Sequence, residues 1–399
     1  MIAFRLLLLL ALSGLLSACV SQSVTTNSIP KVETASTEVP EELLLDVAIA
    51  IFDPGLEDYD DDERVYPEVR KAEARFMPNL LSEAMQDSAS WGTVRVVPNA
   101  NQITDLMVHG EILHSDGQEL QLHIKAVDSR GTLWLDKEYT GNASRYAYSA
   151  STRSTYDPFQ SVYHNIANDL LKQQEQLRPE DRKNVRLVTE LLFARSFSPE
   201  AFEGYLAKNR KDQYLVMRLP AEDDPMLNRV RGIRERDQLF IDTLQEYYVN
   251  FDEQMIGPYQ EWRKLSYEEA IALQELKAES TRRLLAGGVA ILAGIAGASS
   301  DSSSGRAASN VAIIGGGYLL KSGLEKRNEA QIHVEALEEL GMSLEAEITP
   351  QVIELEDRTV MLSGNVEDQY EQWRELLAEI YRNEVGALAL PDDTASTTD

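Results

Sequence analysis

LMVHGEIL at residues 106–113, LQLHIKAV at 120–127 and TLWLDKEY at 132–139 decide the fold of the first half of this chain. LQLHIKAV alternates apolar with polar residues, the period of a strand with one face in a core, and the other two are apolar-rich runs of strand length. Ser115-Asp116-Gly117 and Asp128-Ser129-Arg130-Gly131 separate the runs, and both are turn signals. The three runs therefore form an antiparallel meander. Upstream, TVRVV at 93–97 is a short strand stopped by Pro98, and LLLDVAIAIF at 43–52 is apolar almost throughout before Asp53-Pro54-Gly55. Such a continuous run suits a strand buried on both faces. A helix is expected from Pro67 to Met85, with a kink at Pro78, and another over 162–171. The order is β-α-β-β-β-β-α, a small α/β layer domain over 41–177 within an α+β chain.

The 399 residues suffice for two or three domains. Against 38 Lys and Arg stand 66 Asp and Glu, a formal net charge of −28. That excess disfavours nucleic acid as a partner, and equally disfavours broad contact of the whole surface with anionic lipid.

The one cysteine, Cys19, closes Leu16-Ser17-Ala18-Cys19 directly after an apolar run that Arg5 precedes. A charged flank, an apolar run and small residues make a secretory signal, and a cysteine at the cut resembles the lipobox of bacterial lipoproteins. The resemblance implies loss of residues 1–18, a diacylglycerol on the Cys19 thiol and an acyl chain on its amine. Two or more chains anchor stably where one does not. With Val20 rather than Asp next, it further implies the outer membrane, on the periplasmic face. Cys19 would then leave no thiol for a disulfide, redox centre or metal site. Residues 19–40 are rich in Ser, Thr and Pro, so a flexible tether is expected there.

The strand Val108-His109-Gly110-Glu111-Ile112, leading to the turn Val127-Asp128-Ser129-Arg130-Gly131, resembles the periplasmic domain shared by the TolB amino terminus, lipoprotein activators of penicillin-binding proteins and the curli secretion lipoprotein. The likeness spans roughly residues 43–172. It implies a protein-binding or assembly domain of the cell envelope and brings no catalytic residues with it.

Residues 178–283 read as helical, broken at Ser198-Pro199, Pro220 and Gly257-Pro258. Next come two apolar runs, 284–298 and 311–320, separated by a polar stop at 299–304. Gly287, Gly288, Gly294, Gly297, Gly315, Gly316 and Gly317 crowd this 284–325 hairpin. Each Gly costs a helix about 1 kcal/mol, so the crowding needs a packing reason. Ala286, Ala290, Gly294 and Ala298 recur four apart, a spacing that lets helix backbones approach closely. Each run is shorter than the roughly 20 residues that span a bilayer. Three readings stay open: a helical pair in an oligomer interface, a hairpin inserted in the membrane, or a pair buried within one copy.

Over 326–390 a charged helix, two strands at 352–355 and 359–366 and a helix over 368–382 make a small αββα unit. Val360-Met361-Leu362-Ser363-Gly364-Asn365-Val366 followed by a helix resembles the core of a BON domain, a module of envelope proteins that touch membranes or partners. Its closing strand is reduced to 385–390, and 391–399 reads as a disordered tail.

Chemistry is sparse. Asp58, Asp60 and Asp62 begin like a calcium loop, but the positions needing Gly and Glu hold Glu63 and Val69. His109, His114 and His123 lie on the hairpin without a recognised ligand spacing, so strand histidines are expected rather than zinc. No nucleophile elbow, Walker loop or His-Glu-x-x-His occurs. The expectation is a non-enzymatic lipoprotein without cofactor or metal, binding an envelope partner of unknown identity. It self-associates as a homo-oligomer or inserts through the Gly-rich hairpin; the alternative is a pore or channel component. A cell-wall glycan hydrolase is a third class, but no pair of carboxylates is marked for it.

Overall fold

The computed structural model describes residues 22–26, 29–37, 39–57, 66–144, 146–149, 156–221, 223–296, 332–336, 338–339, 342, 351–354 and 359–386, of which 22–26, 273–296 and 354 are described by backbone alone. These residues form a mixed α+β structure around a six-stranded sheet. Its strands are β1 (Gln22–Thr26), β2 (Val47–Ala50), β3 (Val94–Val97), β4 (Leu106–Ser115), β5 (Glu119–Asp128) and β6 (Leu133–Asn142), in the spatial order β1-β6-β5-β4-β2-β3. β4, β5 and β6 are an antiparallel meander. β2 runs parallel to both β3 and β4, and β1 parallel to β6.

Helix α1 (Pro67–Asp87) and helix α2 (Gln160–Glu175) cover one face. Val47 and Ile49 of β2 pack there with Met77, Leu81, Ile166 and Leu170. Ala48 and Ala50, pointing the other way, meet the second layer, formed by α3 (Pro179–Phe197), the start of α4 (Pro225–Ala296) and α5 (Val366–Gly386). All four residues of β2 are buried, because helices lie on both sides of it. The outer face of the meander carries His109, Glu111, His123, Lys125 and Asp136.

α1 does not break at Pro78. A proline leaves the carbonyl four residues earlier without its helical donor, here that of Ala74. The backbone N–H of Phe52, just past β2, donates to that carbonyl at 2.9 Å. The proline thus frees an acceptor that ties helix to strand.

Residues expected to form a flexible tether are partly pinned. β1 adds to the sheet, and polar groups fasten the stretch that follows. Asn168 Oδ1 accepts from the Glu33 N–H (2.8 Å), Ser90 Oγ from the Ala35 N–H (3.0 Å), and Asn168 Nδ2 donates to the Lys31 carbonyl (2.9 Å). Composition counted too few apolar side chains for ordering, but here the backbone itself supplies the partners.

The middle region also differs from expectation. Leu206–Lys208 (β7) and Tyr214–Val216 (β8) form a small antiparallel hairpin where helix was expected. Beyond it, α4 runs through Gly257-Pro258 for 72 residues without a break. Gln254, whose carbonyl loses its donor to Pro258, is exposed, so water can satisfy it. Near its start α4 packs on the sheet's second face through Val230, Ile233, Phe240 and Leu244. Further along it packs on the outside of α1, where Phe251, Met255, Tyr259 and Trp262 meet Val69, Ala72 and Phe76. One helix therefore passes around the β3 edge and joins both layers.

Gln351–Glu354 (β9) and Thr359–Leu362 (β10) pair antiparallel before α5. Val385 and Gly386, expected in a closing strand, belong to the last turn of α5. Among the described residues no helix is long and apolar enough to cross a membrane.

Candidate functional site

Two polar constructions stand out, and the first is the seat of α4 on the β4–β5 turn. Glu73 of α1 is wholly buried, and its Oε1 accepts from Ser115 Oγ (2.6 Å) and Tyr259 OH (2.7 Å). Oε2 lies 3.8 Å from Arg70 Nε with no hydrogen bond. Burial raises the Glu73 carboxyl above its ordinary range, against the pull of Arg70. One turn further along α4, buried Arg263 donates from Nη2 to Asp157 Oδ2 at 2.7 Å and lies over the Tyr259 ring at 4.1 Å. Burial works against its charge, but Asp157 outweighs it, and the guanidinium is held protonated more firmly than usual.

The turn itself is fitted to the helix. Gly117 has φ +79°, and a Cβ there would lie 2.2 Å from the Arg263 carbonyl oxygen. Ser266 Oγ donates to the Asp116 carbonyl, and Tyr148 OH to that of Gly117. Tyr148, from the loop before α2, thus supplies a buried strut.

The second construction is a cleft between loop 98–105 and the helices α3, α4 and α5 of the second layer. A cavity of about 360 Å³ is lined by Asn99, Asn101, Gln102, Asp237, Tyr370 and Arg374, among others. Asp237 is buried, and Arg374 Nη1 donates to its Oδ2 at 3.2 Å while Oδ1 has no hydrogen bond. Burial raises its carboxyl, with Arg374 opposing. Gln102 Nε2 donates to Tyr370 OH at 2.7 Å, and the buried Gln102 Oε1 is left without a partner. Loop 98–105 carries the chain from the end of β3 back to the start of β4 and supplies one wall of the cleft. The Arg374–Asp237 pair and the Gln102–Tyr370 bond give the cleft a polar lining that suits a polar partner group. Neither construction was legible beforehand, since Gln102, Asp237 and Arg374 lie in three separate stretches of sequence.

The residues singled out from sequence are dispersed. His123 Nε2 lies 2.7 Å from Asp136 Oδ1, and His114 Nε2 lies 3.2 Å from Asp116 Oδ2. The Asp116 hydrogen bond raises the His114 pKa, whereas burial lowers that of His109 beside Lys125. The register shift between Ile112 and His114 pairs His114 with Gln121 and so keeps it on the outer face with His109 and His123, but each of His114 and His123 has its own carboxylate partner. Among the described residues no group of three His, Cys, Asp or Glu is placed to hold a metal. Asp58, Asp60, Asp62 and Cys19 lie outside the described residues, as do Gly297, Gly315, Gly316 and Gly317. Gly287, Gly288 and Gly294 lie on the backbone of α4. Gly294 shares a helix face with Ala286 and Ala290 by their spacing of four. No protein family, characterised protein or solved structure matches the chain.

Proposed function

We propose that this chain is a non-enzymatic lipoprotein, anchored through Cys19 at the periplasmic face of the outer membrane, that serves as a binding and assembly factor for an envelope complex. The observation that carries the proposal is the continuity of α4. Its first forty residues are fixed to the α/β body by two apolar clusters and the Glu73–Arg263 seat. The same helix then runs on into the Gly-rich sequence, ending at Ala296. At 1.5 Å per residue the stretch after Ser266 is about 45 Å long. A body whose cleft can take a partner is thereby coupled to a segment whose small residues suit self-association. The strand-helix-strand-meander-helix order supports the likeness of the body to envelope assembly domains, and the small unit at 351–386 supports the BON-like reading.

The test is made in a Gram-negative host. The chain should incorporate labelled palmitate, Cys19→Ala should abolish the label, and the protein should form a defined oligomer in detergent that Gly294→Leu disrupts. Absence of the label overturns the anchor. Dye leakage from liposomes on adding the purified chain would favour a pore over an assembly factor.

A further inference from the structure

The β7–β8 hairpin reverses the charge of the molecule that carries it. Residues 206–219 read LAKNRKDQYLVMRL, with Lys208, Arg210, Lys211 and Arg218 against the single carboxylate Asp212, in a chain of formal charge −28. All four cations are exposed. Beside them Leu215, Met217 and Leu219 are 46%, 62% and 70% exposed. Isolated exposed apolar residues are ordinary, but three at alternate positions on one short hairpin, framed by cations, are the composition of an interfacial membrane element.

The hairpin is built rather than loose. Asn209 Oδ1 accepts from the N–H groups of Lys211 (2.8 Å) and Gln213 (3.0 Å), and Asp212 turns the chain at φ +63°. The Tyr214 N–H donates to the Arg130 carbonyl at 2.7 Å, and Gln213 Nε2 to Thr132 Oγ1 at 3.4 Å. The hairpin therefore sits on the β5–β6 turn, beside Leu133, which is itself 52% exposed. Asp223 and Asp224 follow before α4, where Asp224 Oδ1 accepts from the Met226 and Leu227 N–H groups, so the excess of cations is confined to residues 206–219.

We infer that this hairpin is a lipid-contacting element that seats the β5–β6 end of the body on an anionic membrane surface. Charge complementarity selects the surface: cations attract an anionic headgroup layer that the rest of the acidic body repels, which fixes which side faces the lipid. The strand layout agrees. β1 and β6 run parallel and both head away from the β5–β6 turn, with Gln22 opposite Lys137. Cys19 precedes Gln22 by three residues, a reach of about 10 Å, so an acyl anchor would start from the same half of the sheet. The inference takes from the proposed function only that a lipid surface is within reach.

The experiment places an environment-sensitive dye on the full chain at Met217→Cys, with Leu239→Cys, equally exposed but on α4, as the reference. Both share one amino terminus, so anchoring there is common to both. Vesicles of phosphatidylcholine alone are compared with vesicles containing phosphatidylglycerol. The dye at 217 should shift to the blue and be quenched by lipid-borne nitroxide in the anionic vesicles only. Raising the salt should reverse this, and Arg210→Glu with Lys211→Glu should weaken it about tenfold. Equal responses at 217 and 239, or no dependence on anionic lipid, would overturn the inference. So would a blue shift without vesicles that grows with protein concentration, because the hairpin would then be meeting the acidic face of a second copy. Palmitate labelling reads the anchor and this dye reads the hairpin, so either can fail alone.

Discussion

The side-chain amide of Gln245 takes the place of a seventh strand beside Val96. Its Oε1 accepts from the Val96 N–H at 3.0 Å and its Nε2 donates to the Val96 carbonyl at 2.8 Å. β3 is an edge strand, and open edges invite pairing with another chain. Here α4 closes the edge, helped by Arg95, whose Nη2 donates to Asp242 Oδ2 at 3.0 Å. Gln245→Met keeps the volume but leaves both backbone groups of the buried Val96 unpaired. It should cost about 1–3 kcal/mol in urea unfolding, and hydrogen exchange should accelerate at the Val96 amide. Unchanged exchange there would mean that the amide contributes nothing to closing the edge.

Gly117 and Gly204 provide a matched comparison. Both have strongly positive φ, +79° and +77°, yet a Cβ at Gly204 meets nothing within 4 Å. Gly204→Ala should therefore cost only the left-handed penalty, about 1 kcal/mol. Gly117→Ala adds a collision with the α4 backbone and should exceed it by about 2 kcal/mol. Thermal unfolding of the two variants measures the difference, and equal losses would show that the turn yields without moving the helix.

Breaking the Arg263–Asp157 pair from one side leaves a charge buried alone. Arg263→Met should destabilise by about 3–5 kcal/mol. Tyr259→Phe, which removes only one hydrogen bond to Glu73, should cost about 1 kcal/mol. Similar losses for the two would place the weight of the seat on packing rather than on charge.

Asp252 of α4 makes the stability depend on pH. Burial pushes its carboxyl up from 3.8 to about 8, the neighbouring Glu83 adds to the rise, and Asn79 opposes it. The folded chain thus holds this proton more tightly than the unfolded chain. The contribution is complete below 3.8 and is lost as the pH climbs through about 8. Asp252→Asn should match the parent at the acid end of that window and be about 1–3 kcal/mol more stable at its alkaline end, given partial solvent screening. A gap that does not widen with pH would remove Asp252 as the cause.

Legibility from sequence followed the range of the interactions. The strands over 106–139 declare themselves because alternation and turn residues are local signals. Pro78 reads as a kink and Pro258 as a break because local chemistry says only what a proline removes. What receives the freed carbonyl of Ala74 is Phe52, twenty-two residues back in the chain. The β7–β8 hairpin escaped notice because its strands have three residues each, too few to establish a period, although Asn209 through Asp212 is a turn signature. The seat of α4 joins Glu73, Ser115, Asp157, Tyr259 and Arg263, and the cleft joins Gln102, Asp237 and Arg374. No spacing rule connects residues that meet only after folding.

The parallel pairing of β1 with β6 also decides how the molecule bears mechanical load. Five consecutive residues, Gln22 to Thr26, register with Lys137 to Gly141. A pull on the chain upstream of Gln22, directed along the strand, loads these rungs together in shear instead of opening them one after another as a zipper. Tension then enters the sheet through β6, the outer strand of the antiparallel meander, and the polar fastenings of residues 31–35 to Asn168 and Ser90 come under strain only after β1 has slipped. A chain held from that end would behave as a body with a stiff mount.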